Sequence, residues 1–433
     1  MAYQEVTRTG YGTRVGNSFK GIGMGFILFI GATILLWWNE GRAVKTKDML
    51  NEVQNVCVDM ENPNKKDPAL DGEVVCASAL ATTEDSLIDK QFNIGAKAIA
   101  LNRTVEYYQW VEHSSSKSED KLGGAEETTT TYTYKKEWVS SPINSSDFKD
   151  PAYQGKNSTL SQYEEESQWA ENVSFGAYKL NGSLIKQISS TENFDLNIDQ
   201  KLLEDINKQI AKTKGKDVTQ QKEQAAAKPD TATVADNKMD LDYVHVNGNE
   251  LYLGESSSAP EIGDVRITFE KVVPAKVTII AQVSGDTFKS YKAKNGKHFQ
   301  ILVMGKQSSD EIIDGQKSVN NMLLWLFRIV GIMLVIAGLK GIFAFLSTLL
   351  KVIPFLSNIV GWGVGVVCTV IGVVWSLIII AIAWLFYRPL LGIGLLVLAG
   401  FLIWVFAFKG KEKLKELAKR NGPQAAPAPV QEN

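Results

Sequence analysis

GIGMGFILFIGATILLWW, residues 21–38, decides how the rest of the chain is read. It carries no charge and is just long enough to cross a bilayer as a helix, which takes about 20 apolar residues. A cleaved signal is the competing reading, because Arg14 and Lys20 precede the run. The run ends, however, in Trp37-Trp38 and Asn39-Glu40 rather than in small residues, and paired Trp is what a membrane interface selects. Working outward, further apolar runs lie at 322–340, 361–387 and 388–408, which makes four spans. Lys340 and Lys351 bracket an apolar piece too short to cross, followed by Pro354, so residues 341–360 read as an interfacial or re-entrant segment. If that piece crossed, the count would be five.

The overall composition, 45% hydrophobic and 22% charged with a net charge of −2, is that of an ordinary globular chain. The apolar residues are concentrated at the two ends, which excludes a single soluble domain. With 3 Cys, and with 35 Gly in no repeat, neither a disulfide scaffold nor collagen fits. The short segments 1–20 and 409–433 and the Lys340–Lys351 connection are net positive, so the positive-inside rule puts both termini in the cytoplasm. Residues 39–321 then form an acidic extracytoplasmic domain, inserted between the first two spans.

That domain reads as β-rich α+β. RTVEYYQWVEH at 103–113 and TTTTYTYKKEWV at 128–139 are the arms of a long hairpin, and Asn247-Gly248 supplies the turn of a second. Residues 201–240 are rich in Lys, Gln and Ala, with few apolar anchors, and read as a solvated helix and linker.

No catalytic or metal motif emerges: His113, His245 and His298 are scattered, and no P-loop, G-x-S-x-G or H-E-x-x-H occurs. No cofactor is expected. Cys57 and Cys76 stand on the oxidising side of the membrane, as a disulfide or as two buried thiols. Gly21 and Gly25 on one helix, and Gly361 and Gly365 on another, are candidates for close helix packing. Among the membrane-region charges Arg328, Lys340, Lys351 and Arg388, only Arg328 lies well inside a span, where it either lines a water path or reaches the interface. No Asp or Glu occurs from 322 to 408, which argues against proton- or sodium-coupled transport. Lys409, Lys411, Lys413 and Lys415 suit anionic headgroups, whereas an acidic domain disfavours nucleic acid.

The assembled motifs resemble the LUMA family, numbered forty-three among transmembrane proteins, including its bacterial members. The resemblance rests on NEGRA at 39–43, VEYYQWVE at 105–112, YTY at 132–134 with Glu137-Trp138, INSSDF at 143–148, GDVRITF at 263–269 and WLFYRP at 384–389. It implies four spans with a lumenal domain between the first and second. It also implies a self-associating scaffold of the endoplasmic reticulum and inner nuclear membrane that meets lamins and emerin, or a bacterial inner-membrane counterpart. The expectation is a non-enzymatic organiser whose partners are lipids, copies of itself and other membrane or envelope proteins. An ion channel or signal-gated effector is the alternative.

Overall fold

The computed structural model describes residues 3–215, 241–349, 354–390, 393–394 and 397. Its helices are α1 (Tyr11–Val56), α2 (Gly182–Ile185), α3 (Gln200–Thr213), α4 (Ser309–Leu349) and α5 (Pro354–Tyr387). Contacts divide the chain into a sheet unit (Met1–Arg14, Asp48–Val319, Lys351–Pro354) and a helical unit (Val15–Lys47, Asn320–Leu350, Phe355–Asn433).

Within the sheet unit, one eight-stranded sheet runs in the order Tyr3–Thr9, Glu126–Val139, Ala100–Asp120, Val265–Val272, Glu250–Leu253 and Val244–Asn247, with Thr191–Asn193 and Glu166–Trp169 off this path. Ala100–Asp120 buries Leu101, Arg103, Val105, Tyr107 and Gln109, every second residue, as a half-buried strand must. From His113 to Glu119 every position is exposed, so the hairpin leaves its core and continues as a polar ribbon. The Asn247-Gly248 turn forms, with Gly248 at φ 60°.

In the seven-stranded sheet, Ala275–Ser284 pairs with Val74–Thr83 and also with Ile301–Met304 and Thr287–Lys289. Thr287–Lys289 leads back to Val74–Thr83 through the short strands Tyr178–Lys179 and Val173–Phe175, so the pairings close into a ring. Phe175, Tyr178, Ile279 and Phe288 fill its core. The end of α1 and the start of α4 cover one face through Leu50, Val53, Ile312 and Ile313. Ser308 and Glu311 begin α4 as a reciprocal cap, each backbone N–H bonding the other's side chain at 2.9 and 3.3 Å.

Three readings from the sequence are corrected here. First, residues 1–20 are not a separate N-terminal segment. Tyr3–Thr9 pairs along the hairpin ribbon, Thr7 opposite Thr128, and Arg14 at the start of α1 is buried against Asp120 at 2.6 Å and the Gly124 carbonyl at 2.9 Å. A Thr7→Cys, Thr128→Cys pair in membranes is expected to cross-link within the chain on mild oxidation, since directly opposite Cβ atoms lie about 5 Å apart. Failure to cross-link would detach this strand from the ribbon.

Second, α4 passes Lys340 without a break and continues to Leu349, and α5 begins at Pro354, so the boundary read at 341 is not a helix end. A lysine on a long flexible stem need not end an apolar helix, whereas proline fits a first helical position. Third, the helix read at the start of 201–240 forms as α3, but it is solvated on one face only, since Ile206 and Ile210 are buried beneath Val244–Asn247; residues 216–240 lie outside the described residues.

Among the described residues, α1, α4 and α5 are long and apolar enough to cross a membrane. The expected span at 388–408 falls almost wholly outside them, as do Lys351 and the tail lysines Lys409, Lys411, Lys413 and Lys415.

Candidate functional site

Inside the helical unit, Arg328 of α4 is 7% exposed and Glu40 of α1 is fully buried. The guanidinium grips the carboxylate with two bonds, Nε to Oε1 at 2.6 Å and Nη2 to Oε2 at 2.9 Å. Trp384 of α5 donates its indole N–H to the same Oε2 at 2.8 Å. Trp325 and Trp384 hold their rings 4.8 and 5.4 Å from the guanidinium carbon, so the cation is enclosed by π faces as well as by its counter-ion. Buried charges persist only when paired and hydrogen-bonded, and this pair meets both conditions.

A polar layer flanks it. Asn39 donates to the Leu324 carbonyl at 3.0 Å, Asn320 donates to the Ala43 carbonyl at 2.9 Å, and Arg42 donates to Asn320 Oδ1 at 3.2 Å. Gly41 gives the ring of Tyr387 room that a Cβ would take, at 2.6 Å. Arg388 lies 6.0 Å from the Trp384 ring. Two motifs behind the family resemblance, NEGRA at 39–43 and WLFYRP at 384–389, therefore meet around Arg328. The sequence reading found Arg328 and missed Glu40. The available signal was complementarity: Glu40 is the single acid in residues 15–47, and Arg328 the single arginine in its span.

Gly25 crosses α4 at backbone distance, where an added Cβ would lie 2.7 Å from the Ile342 nitrogen and 2.8 Å from the Gly338 oxygen. Its partners are Gly338 and Gly341, which the sequence reading did not single out. A Cβ at Gly21 or at Gly365 would meet nothing within 4 Å, and the surroundings of Gly361 lie outside the described residues. Lys340 is exposed.

In the sheet unit, Cys57 and Cys76 are free thiols. The parallel register sets Cys57 opposite Val74 and Cys76 opposite Asp59, two residues out of alignment for a direct bridge, which requires Cα atoms within about 7 Å. Burial, reinforced by Cys76 and then by Asp59 and Asp310, pushes Cys57 up to about 12; burial and Asp59 push Cys76 up to about 11. Both are therefore thiols rather than nucleophilic thiolates at neutral pH.

A cavity of about 720 Å³ is lined by His245, Glu250, Tyr252 and Ser256, among others. His245 Nε2 is engaged with the Gly254 carbonyl at 3.1 Å, and Ser256 Oγ bonds Ser258 Oγ at 2.9 Å. Those bonds do not make the serine–histidine contact that activates a nucleophile. His113 contacts Glu137 at 3.1 Å and His298 contacts Ser290 at 3.3 Å, and no group of three potential ligands is placed to hold a metal among the described residues.

The family model described as transmembrane protein 43 matches residues 107–389. Transmembrane protein 43 of Rattus norvegicus is 28% identical over 391 residues, 88% of each chain. The Homo sapiens protein of that name is 27% identical over 394 residues, covering 89% of this chain and 88% of its own. The Drosophila melanogaster homolog is 25% identical over 382 residues, 87% of this chain and 91% of its own. No solved structure matches. With the family model covering more than half its length and relatives aligned nearly end to end, this multi-pass membrane chain belongs to the transmembrane protein 43 family.

Proposed function

We propose that the protein is a non-catalytic membrane scaffold that self-associates and binds partner proteins through its sheet unit, with a fourth span at 388–408 and a cytoplasmic basic tail. Its home is the endoplasmic reticulum and inner nuclear membrane in a eukaryote, or the inner membrane in a bacterium. The observation that carries this reading is the state of Arg328. A residue lining a conducting path faces water, whereas this guanidinium is buried, bonded twice to Glu40 and flanked by two indoles. Met24, Ile27, Ile30 and Ile34 on α1, and Val367, Val370 and Val374 on α5, are exposed as lipid-facing surface should be. The ribbon edge Tyr3–Thr9, solvent-exposed over nearly its whole length, offers backbone groups for strand addition by a partner.

The test is the mass of the nanodisc-reconstituted protein together with cation flux into liposomes. A discrete oligomer without flux is expected. Selective flux in the wild type that changes in Arg328→Leu would replace the scaffold with the channel alternative.

A further inference from the structure

Acids are scarce in the apolar part of the helical unit, and Lys340 is one of the cations there without a carboxylate partner among the described residues. No Asp or Glu occurs between residues 322 and 408, and the one acid of residues 15–47, Glu40, is held by Arg328 and Trp384. Lys340 lies about 18 Å beyond Arg328 along α4, at 1.5 Å per residue, and has no carboxylate partner among the described residues. Next to it a cavity of about 370 Å³ opens between α4 and α5, lined by Lys340, Gly365, Val366, Thr369 and Val370. Its volume falls within the roughly 300–1,000 Å³ typical of small-ligand sites.

Among the described residues the lining is apolar apart from the ammonium. The Thr369 hydroxyl is turned back onto its own helix, bonding the Gly365 carbonyl at 2.7 Å. Gly365 has open space where a side chain would stand, which makes a notch in α5, and Val366 and Val370 are exposed beside it. An ammonium without a described carboxylate partner beside an exposed apolar notch on a membrane-spanning helix matches one chemical class, a lipid with an anionic phosphate head and a hydrocarbon tail.

We infer that Lys340 and the Gly365 notch bind one anionic glycerophospholipid, its phosphate on the Lys340 ammonium and an acyl chain against Gly365, Val366, Thr369 and Val370. The lipid supplies a negative charge beside Lys340 that residues 322–408 do not, which removes the cost of an unpaired ammonium at the edge of the hydrocarbon. Lys340 stands toward the end of the apolar stretch of α4, where a lysine side chain reaches the headgroup layer. The assignment does not depend on the scaffold reading, since a channel would need the same counter-charge.

The experiment uses the full chain in nanodiscs of mixed phosphatidylcholine and phosphatidylglycerol, moved into mild detergent and read by native mass spectrometry for retained lipid. Wild type and Lys340→Arg are expected to keep one phosphatidylglycerol. Lys340→Gln should lower that retention about fivefold, the effect of one basic residue at an anionic surface. Gly365→Leu, which fills the notch and leaves the lysine, should lower it as well. A Lys409→Gln, Lys411→Gln, Lys413→Gln, Lys415→Gln variant should keep the tightly held lipid. Equal retention in Lys340→Gln and wild type, equal retention of phosphatidylcholine, loss in the tail variant alone, or a second copy of the chain in place of lipid would each overturn the assignment. Monodisperse elution and an unchanged melt in phosphatidylcholine nanodiscs establish that a variant is folded. Because Lys340 is exposed, Lys340→Gln is expected to meet that standard even if Gly365→Leu does not.

Discussion

Arg328→Met is expected to lower the melting temperature of the solubilised protein by on the order of 10 °C, corresponding to about 3–5 kcal/mol. The loss comes less from the missing attraction than from what remains, a fully buried Glu40 carboxylate whose surviving side-chain bond is the one from Trp384. For the same reason Glu40→Gln with Arg328→Met should melt above Arg328→Met alone, because neither charge is then stranded. Exchanging the charges, Glu40→Arg with Arg328→Glu, should recover part of the loss, limited by the fixed position of the indole donor. Trp384→Phe removes one charge-assisted hydrogen bond and should cost about 1.5–3 kcal/mol. Melting followed by size-exclusion chromatography in one detergent checks the set. An Arg328→Met protein as stable as wild type, or a double variant whose loss is the sum of the two singles, would mean that the contact is not a coupled pair.

Why this site was half legible follows from how each partner is marked. Arg328 interrupts an apolar run, so hydropathy alone exposes it. Glu40 follows Trp37-Trp38 at the end of a run, where an acid looks like an ordinary interfacial residue, and its partner is 288 positions away. Helical periodicity says which residues share a face of one helix but not which face meets which neighbour. The glycines show the same limit: spacing drew attention to Gly21 and Gly25 alike, and only packing separates one that touches α4 from one whose Cβ would be free.

In the sheet unit, the hairpin arms were legible because Tyr, Trp, Val and Thr alternate over a buried face. Tyr3–Thr9 was not, since it is exposed along nearly its whole length and leaves no period of two to detect. The buried face of α3 went unread in a Lys- and Gln-rich stretch, where Ile206 and Ile210 supply two core contacts at helical spacing. The exposed side of α4 at Lys340 misled in the other direction, because a charge was read as a helix boundary that the backbone ignores.

Gly25→Ala and Gly21→Ala are expected to move stability in opposite directions, although the two glycines lie four residues apart on one helix. At Gly25 the new methyl would meet backbone atoms of α4, which cannot rotate away as a side chain can. The converse holds too, since a Cβ on Gly338 would lie 2.7 Å from the Phe29 nitrogen and 3.0 Å from the Gly25 oxygen. The two helices must therefore separate, at a cost of about 1–3 kcal/mol for alanine and more for leucine. At Gly21 nothing stands within 4 Å, so alanine adds helix propensity of up to about 1 kcal/mol without a clash. The same melting assay reads both, and equal shifts for the two substitutions would rule out a backbone-to-backbone crossing at Gly25. Because α1 also carries Glu40 and α4 also carries Arg328, spreading the crossing strains the ion pair. Gly25→Leu combined with Arg328→Met should consequently cost less than the two changes taken separately, since a pair already broken has no geometry left to lose.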